Sequence, residues 1–548
     1  MAMDTLVCSV RGVRVRCVAV AGALAAVFVA AGCGDAGDGG ADGGSGGDGG
    51  ACVEPSFGEP PDGVLASPAD LPRDGCEPGT LAGVDPTGLW FVQHDPHPRW
   101  QRGPVRISLS CEGGLSVDLA TIGSTRPADY AALDADDLFF RREAEYGKVR
   151  LVEAYTACRR DADGALYGWY RYCWVGDFGQ ECGDPASFVA RPYGRIEGEP
   201  DADGLELVSE FRGGDAPWPD TFTADVRVAD GIAYVANGED GVRIVDVTDP
   251  AAPRELAHFP ADSDYYNELK LVDGPGGSRY ALVASDAAGA KIVDVTDPTA
   301  PKQIGLLRPA GEPDHGVHTL FVETVGAATY AYLADGFSPN VFVFDVTDPT
   351  SPVDVGTVHL PNDDWGVHAV CADGGRVYAA ATVGGLVVVD ALPDPAAATV
   401  IARYQKDDTY AHQCWKTTTS SGRAVLAFGD EGYGSHLELL DLTPGADGAL
   451  PRIGEMIYRD QVSIHDMMAF GDTVYVAHYQ DGVRIVDISD PTAPETIAHF
   501  NTWDPETAPG AMLEGAVGID VDLDAGLIYV ADTPRGLLVL RRTGSAAR

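Results

Sequence analysis

The sequence predicts an all-β protein: a seven-bladed β-propeller closed by an N-terminal strand and preceded by a small disulfide-containing β-domain. Three observations carry that expectation. The stretch "VRIVDVTDPAAP" at 242–253 returns as "AKIVDVTDPTAP" at 290–301, "VFVFDVTDPTSP" at 341–352 and "VRIVDISDPTAP" at 483–494. The Asp closing each apolar strand (Asp246, Asp294, Asp345, Asp390, Asp441, Asp487) recurs at intervals of 48, 51, 45, 51 and 46 residues. A period near fifty, with several short strands in each, signals radially repeated blades. A seventh copy, "GLLVLRRT" at 536–543, is followed by "TGSAAR" and has no outer strand of its own. "LELVSEF" at 205–211 matches the outer strands "RELAHF" and "ETIAHF", so it is expected to close the ring.

In chain order, residues 1–32 read as a secretion signal. Arg11, Arg14 and Arg16 precede the apolar run "CVAVAGALAAVFVAAG", which is too short for a membrane span. "AAGC" at 30–33 resembles the bacterial lipobox, with Ala30 where Leu is usual; the resemblance implies lipidation of Cys33. Residues 33–51 are nearly all Gly, Asp and Ala, a composition that buries no core and reads as a flexible tether. The expected consequence is export, with lipid anchoring at the cell envelope, on the outer membrane or cell surface.

Residues 52–203 form the β-domain. "DPTGLWFVQ", "VRISLSCEGGLSVDLATIG" and "VRLVEAYTACRRDADGALYGWYRYCWV" read as strands joined by DG and GG hairpins, in a sandwich or barrel. The "GLW" at 88–90 resembles the opening of lipocalin-like barrels. Cys52, Cys76, Cys111, Cys158, Cys173 and Cys182 fall in this section, and an even set in an exported protein implies up to three disulfides. "DADG" at 161–164 and 201–204 lacks the remaining ligands of a calcium loop and reads as a hairpin turn in both places. "HDPHP" at 94–98 reads as a loop.

The propeller spans 204–543. In its first unit "TADVRVA", "IAYVAN", "VRIVDVT" and "PRELAHF" are successive strands, joined by a DG turn, a GEDG turn and an Asp-Pro corner. Pro cannot donate to a ladder, and an Asp side chain can bond the amides of the turn. The corner aspartates are therefore structural. The residues "IVDVTDP" and "IVDISDP" resemble the LVIVD repeat of bacterial surface and lipoprotein β-propellers. That resemblance implies export to the cell surface and no particular activity.

The formal charge is −45, with 83 acidic against 38 basic residues, a field that repels nucleic acid and leaves cations as partners. There is no G-x-S-x-G, H-E-x-x-H, P-loop or dinucleotide fingerprint. One column of the repeat does carry chemistry. The inner strands begin "NELKLV", "VHTLFV", "VHAVCA", "AHQCWK" and "IHDMMAF", which places His318, His368, His412 and His465 in consecutive blades, with Glu268 one blade earlier. Second-strand ends add Asp286, Asp335, Asp430, His478 and Asp532 to the same face. Imidazoles suit zinc, copper or iron, and Glu268, Asp335 or Asp430 could orient their ring N–H groups. The expectation is that at least three of the histidines share an ion. The competing reading makes each His a blade-to-blade hydrogen-bonding device. Cys371 and Cys414 lie three and two residues after a histidine, so alternation turns them opposite ways and no bridge is expected. The leading functional expectation is a monomeric binding or scaffolding propeller presenting an acidic, His-bearing face to a protein, glycan or cation. The alternative is a metal-dependent enzyme.

Overall fold

The computed structural model describes residues 63–544, except 96–104, 111–114, 122–123, 215–216, 220, 310–315, 362–365, 407–408, 433–435, 460–461 and 506–512. It also describes backbone strands at 6–10 and 13–17. The rest of the signal, Cys33, the tether, Cys52, His97 and Cys111 lie outside the described residues. Among the described residues no helix is long and apolar enough to cross a membrane.

The chain divides into two units, with the division after Tyr193. In the first, one antiparallel sheet runs in the order 124–127, 116–121, 105–110, 88–95, 186–192, 166–176, 149–160, 138–146, 130–133. Gly88–Asp95 therefore pairs with both its sequence neighbour and the last long strand. The two ends of the sheet are consecutive in the chain. Their linker bonds inward on both sides, Ala128 N to Val117 O at 2.7 Å and Asp129 N to Arg141 O at 2.9 Å. The sheet thus curls on itself as a barrel rather than splitting into a sandwich. Its interior is aromatic, with Trp90, Phe140, Tyr155, Tyr170 and Phe188 buried together. His94, expected in a loop, is the penultimate residue of a strand and packs against Tyr170 with ring centroids 4.8 Å apart. Cys76–Cys158 ties the segment before the barrel to a long strand, and Cys173–Cys182 crosses a hairpin.

The second unit contains seven blades among the described residues, six of four strands and one, blade 6, with a short fifth strand. Blades 1 to 6 begin at Asp225, Tyr266, Thr319, Ala369, Ala411 and Asp466. Blade 7 comprises Ala516–Asp522, Leu527–Asp532, Gly536–Arg542 and, as its outer strand, Leu205–Phe211. The ring closes as expected. Every outer strand carries a register shift at the same place, for example between Ile244 and Val245, and the closing strand repeats it between Leu207 and Ser209.

Local chemistry explains the repeat. Asp230 and Gly231 both have positive φ (50° and 74°), the type I′ geometry that a two-residue hairpin needs. At the corner, Asp345 Oδ1 accepts from Thr347 N at 2.9 Å and Thr347 Oγ1 at 2.6 Å. Asp348 does the same for Thr350. The D-x-T-D-P-T pattern is thus two linked Asx turns that end one strand and aim the next.

The second "DADG" is not a turn. Ala202–Asp203 pairs with the outer strand of blade 6, and residues 194–203 belong to the propeller unit rather than ending the β-domain at 203. Arg484 donates to Glu199 Oε2 at 2.8 Å, and His499 Nε2 lies 2.9 Å from Pro200 O. These bonds fix the segment along blade 6 before it enters blade 7.

Candidate functional site

Each inner strand starts beside the axis, where its first side chains reach the next blade. Two adjacent columns do different work. In the first, carboxylates accept neighbouring backbone amides: Asp225 from Leu269 N at 3.0 Å and Glu268 from Leu320 N at 2.6 Å, while in blade 7 Asp520, two residues beyond that column, accepts from Val228 N at 2.6 Å. Glu268 was expected among the histidines, yet it stands level with Thr319. Asn267 is the residue level with His318, and its Nδ2 donates to His318 O at 3.3 Å. Glu268 comes one residue after the histidine level of its strand, as Asp466 does after His465.

The second column is histidine. His412 Nδ1 lies 3.0 Å from His465 O, and His465 Nδ1 lies 2.9 Å from Val517 O. A carbonyl only accepts, so each Nδ1 carries the proton and each Nε2 presents a lone pair. The blade-to-blade reading of the histidines therefore holds for one nitrogen of these two rings. The other nitrogen remains available to a ligand.

The four rings form a row. Successive centroids are 4.7, 3.9 and 4.6 Å apart from His318 through His368 and His412 to His465. They do not surround a point, because four of seven blades subtend an arc. His318 Nε2 faces His368 Nε2 at 3.2 Å. Among the described residues, the His/Cys/Asp/Glu group whose ligand atoms all lie within 4.8 Å of one another is His412, His465 and Glu431. Two of the four expected histidines belong to that group, and Glu431 is its third member.

Glu431 was missed, and the reason is again register. Residues just past the second strands bond backbone near the axis, Asp286 N to Tyr265 O and Glu431 N to Tyr410 O within their own blades, Gly336 N to Val367 O and Tyr479 N to Ala516 O across to the next blade. Asp335, Asp430, His478 and Asp532 stand one residue earlier in their blades. Asp335 accepts from Phe337 N, Ser338 N and Ser338 Oγ, capping its own turn. Asp430 is wholly occupied with Thr409, Tyr410 N and Gly432 N. Neither orients an imidazole, and Glu268 is engaged with Leu320 N and Lys270 instead. His478 packs against Tyr458, with centroids 5.2 Å apart, and Asp532 caps the turn at Arg535. Asp286 meets a histidine, with Oδ1 3.3 Å from His318 Nδ1.

Electrostatics differ along the row. Burial opposes protonation of His318, but the bonded Asp286 carboxylate, with Glu268 and Glu431, outweighs it and raises its pKa. His368 and His412 are held well below the ordinary imidazole value by burial and by neighbouring imidazoles, and His465 is lowered chiefly by burial. Burial pushes Glu431 up to about 7, against the hydrogen bond from Tyr479 and the charge of His318. Its Oε2 lies 3.4 Å from His412 Nε2, and its Oε1 accepts from the Tyr479 hydroxyl.

Behind the row, Cys371 and Cys414 form a disulfide joining the inner strands of blades 4 and 5. Neighbouring blades meet through opposite faces, so the alternation that turns the two cysteines opposite ways is what brings them together, in the layer where Cys371, Tyr378, Cys414 and Phe428 are buried.

The family comparison agrees with the repeat. The family model of the LVIVD repeat matches residues 222–259, 278–306 and 464–502, so the chain carries LVIVD repeats in blades 1, 2 and 6. No curated protein matches the sequence. Among solved structures, the chain is similar to the Cps50 (Swd1) β-propeller domain of Myceliophteria thermophila at 16% identity and a TM-score of 0.42, covering 62% of this chain and 100% of that one. It is similar to Saccharomyces cerevisiae Sqt1 at 8% identity and a TM-score of 0.42, covering 60% and 97%. Moraxella catarrhalis BamB aligns at 11% identity and a TM-score of 0.38, covering 60% and 84%.

Proposed function

We propose that this protein is an exported, lipid-anchored binding module, held at the cell envelope through Cys33 and its tether, with the axial histidine end of the propeller as its ligand face. One observation carries the choice of face. There, side chains from four consecutive blades converge with ring nitrogens and a carboxylate that cross-blade bonding leaves available. His318 is 27% exposed at that end, with Asp286 beside it. The acidic surroundings favour a protein or glycan that offers a cationic group. The convergence of His412, His465 and Glu431 favours, as a second reading, a metal-dependent activity at the same place.

Two measurements test the first reading. Cys33→Ser is expected to move the protein from the membrane to the soluble fraction, and unchanged retention removes the anchor. A photoreactive residue at position 286 is expected to capture a partner in intact cells, while the same residue at the peripheral corner, position 345, captures none. Equal capture at both positions, or none at 286, removes the axial face as the binding face.

A further inference from the structure

The geometry points to a transition-metal site built from His412 Nε2, His465 Nε2 and one carboxylate oxygen of Glu431, and we propose that it takes a divalent ion of the zinc, iron or copper class. The inference rests on the axial end being the ligand face, and it names an ion for that face. Three independent features support it.

The first is tautomer. Both imidazoles are fixed by carbonyl acceptors on Nδ1, at 3.0 and 2.9 Å, so their Nε2 lone pairs are presented without a rotamer or proton change. This is how metal-ligating histidines are ordinarily oriented, the second nitrogen donating to a carbonyl or carboxylate. A purely structural histidine needs one nitrogen; here the second nitrogens of two neighbours come together beside a carboxylate.

The second is support of the acid. Glu431 is held by a hydrogen bond from Tyr479, whose ring lies 5.2 Å from that of His465. Its backbone N bonds Tyr410 O at 2.9 Å. The carboxylate is therefore fixed at both ends, and Oε2, 3.4 Å from His412 Nε2, is the oxygen turned to the cluster.

The third is the donor set. Two neutral imidazoles and a carboxylate suit zinc, iron(II) or copper(II), whereas calcium and magnesium take all-oxygen sets. Three protein ligands leave a position for water or another molecule. Each ligand stands on a different element (blade 5 inner strand, blade 6 inner strand, blade 5 turn), so the rigidity of the ring sets the geometry. His368 stacks on His412 with its Nε2 turned to His318, which leaves it outside the set.

The test uses the full-length protein, purified without a metal column, treated with a chelator and returned to one ion at a time. Zinc(II) or iron(II) is expected to remain bound at one equivalent through gel filtration, and cobalt(II) to give visible d–d absorption in the same site. His412→Ala, His465→Ala and Glu431→Gln should each weaken binding by about 100-fold or more, while His368→Ala and Asp335→Ala stay close to wild type. Glu431→Gln keeps side-chain volume and an acceptor for Tyr479, so its loss of binding is read in a folded protein. A wild-type chain that retains no transition ion overturns the site. Equal loss in His368→Ala and His412→Ala overturns this choice of ligands. Both outcomes leave membrane release and cellular capture at position 286 as they were, so failure of the ion and failure of the binding face are told apart.

Discussion

The ring of inner strands is held together in two chemically different ways. From blade 6 through blades 7 and 1 to blade 3, Asp466, Asp520, Asp225 and Glu268 accept the next blade's amides. Their charges meet Arg227, which lies 2.8 Å from Asp225, 3.7 Å from Asp466 and 4.0 Å from Glu268. Arg227 also donates to Val226 O and Ile519 O. Buried charges of this kind persist only when paired and fully hydrogen-bonded. From blade 3 to blade 6, histidines occupy the neighbouring column. The imidazoles of His412 and His465 each cross to the next blade with one nitrogen and keep the other. The acidic arc is thus saturated by its own closure, and the histidine arc is not. Two adjacent positions of the repeat thus serve as a clasp on one side of the axis and as a binding position on the other.

The largest expected effect breaks the acidic clasp. Arg227→Met removes the counter-charge of three buried carboxylates and should destabilise the propeller by about 3–5 kcal/mol, the usual cost of breaking a buried ionic cluster from one side. The shift is read from urea unfolding. A change below 1 kcal/mol would mean that the arc is held by its strands alone, and the contrast would lose its first half.

Next in size is the covalent tie behind the histidines. The bond between Cys371 and Cys414 closes a separation of 43 residues. Its removal in the Cys371→Ala/Cys414→Ala double variant should cost about 2–4 kcal/mol. That loss should add to the Arg227→Met loss within about 0.5 kcal/mol, because Arg227 and the disulfide have no ion-pair or hydrogen-bond partner in common. Strong non-additivity would show that the arcs form one network.

Proton linkage separates the arcs further. In chelator-treated protein, Glu431 has its pKa raised to about 7 from an ordinary 4.5. The native state therefore binds the proton more tightly. Its contribution is fully present below pH 4.5 and is lost as pH rises through about 7. Glu431→Gln should match wild type near pH 4.5 and exceed it progressively, by up to roughly 3 kcal/mol at pH 8. His412 works in the opposite sense. Its pKa is lowered, so its contribution is present above 6.5 and lost on acidification, and His412→Gln should flatten the fall below that value. Thermal melts across pH 4–9 check both signs.

Much of this was legible in the sequence, because a repeat states its architecture several times. Blade count, the strand at 205–211 and the histidine column all follow from positions that recur in register. What was hidden lies where the repeat departs from itself by one residue. Glu268 follows the histidine level by one residue and so stands with Thr319, while Asn267 stands with His318. The second-strand column was read one residue early in blades 3, 5, 6 and 7. In a strand, one residue turns a side chain to the other face. That single step separates Asp430, which caps a turn, from Glu431, which faces the histidines. No pattern of apolar residues marks it, since both positions are acidic.

The smallest expected effect is a control on the contrast itself. The corner aspartates sit far from the axis and serve both arcs alike. Asp294 Oδ1 accepts from Thr296 N at 3.0 Å in blade 2, and Asp345 Oδ1 from Thr347 N at 2.9 Å in blade 3. Both corners are partly solvated, so a lost bond is largely replaced by water. Asp294→Ala and Asp345→Ala should each cost about 1 kcal/mol, the net worth of an ordinary turn hydrogen bond. Neither change should alter metal retention, since neither touches an inner strand. If the two costs agree while Arg227→Met and Glu431→Gln move stability in opposite directions at pH 8, the difference between the arcs belongs to the axis. If Asp345→Ala costs several-fold more than Asp294→Ala, the histidine side is weaker out to its rim, and the two arcs differ in strand packing as well as in closure.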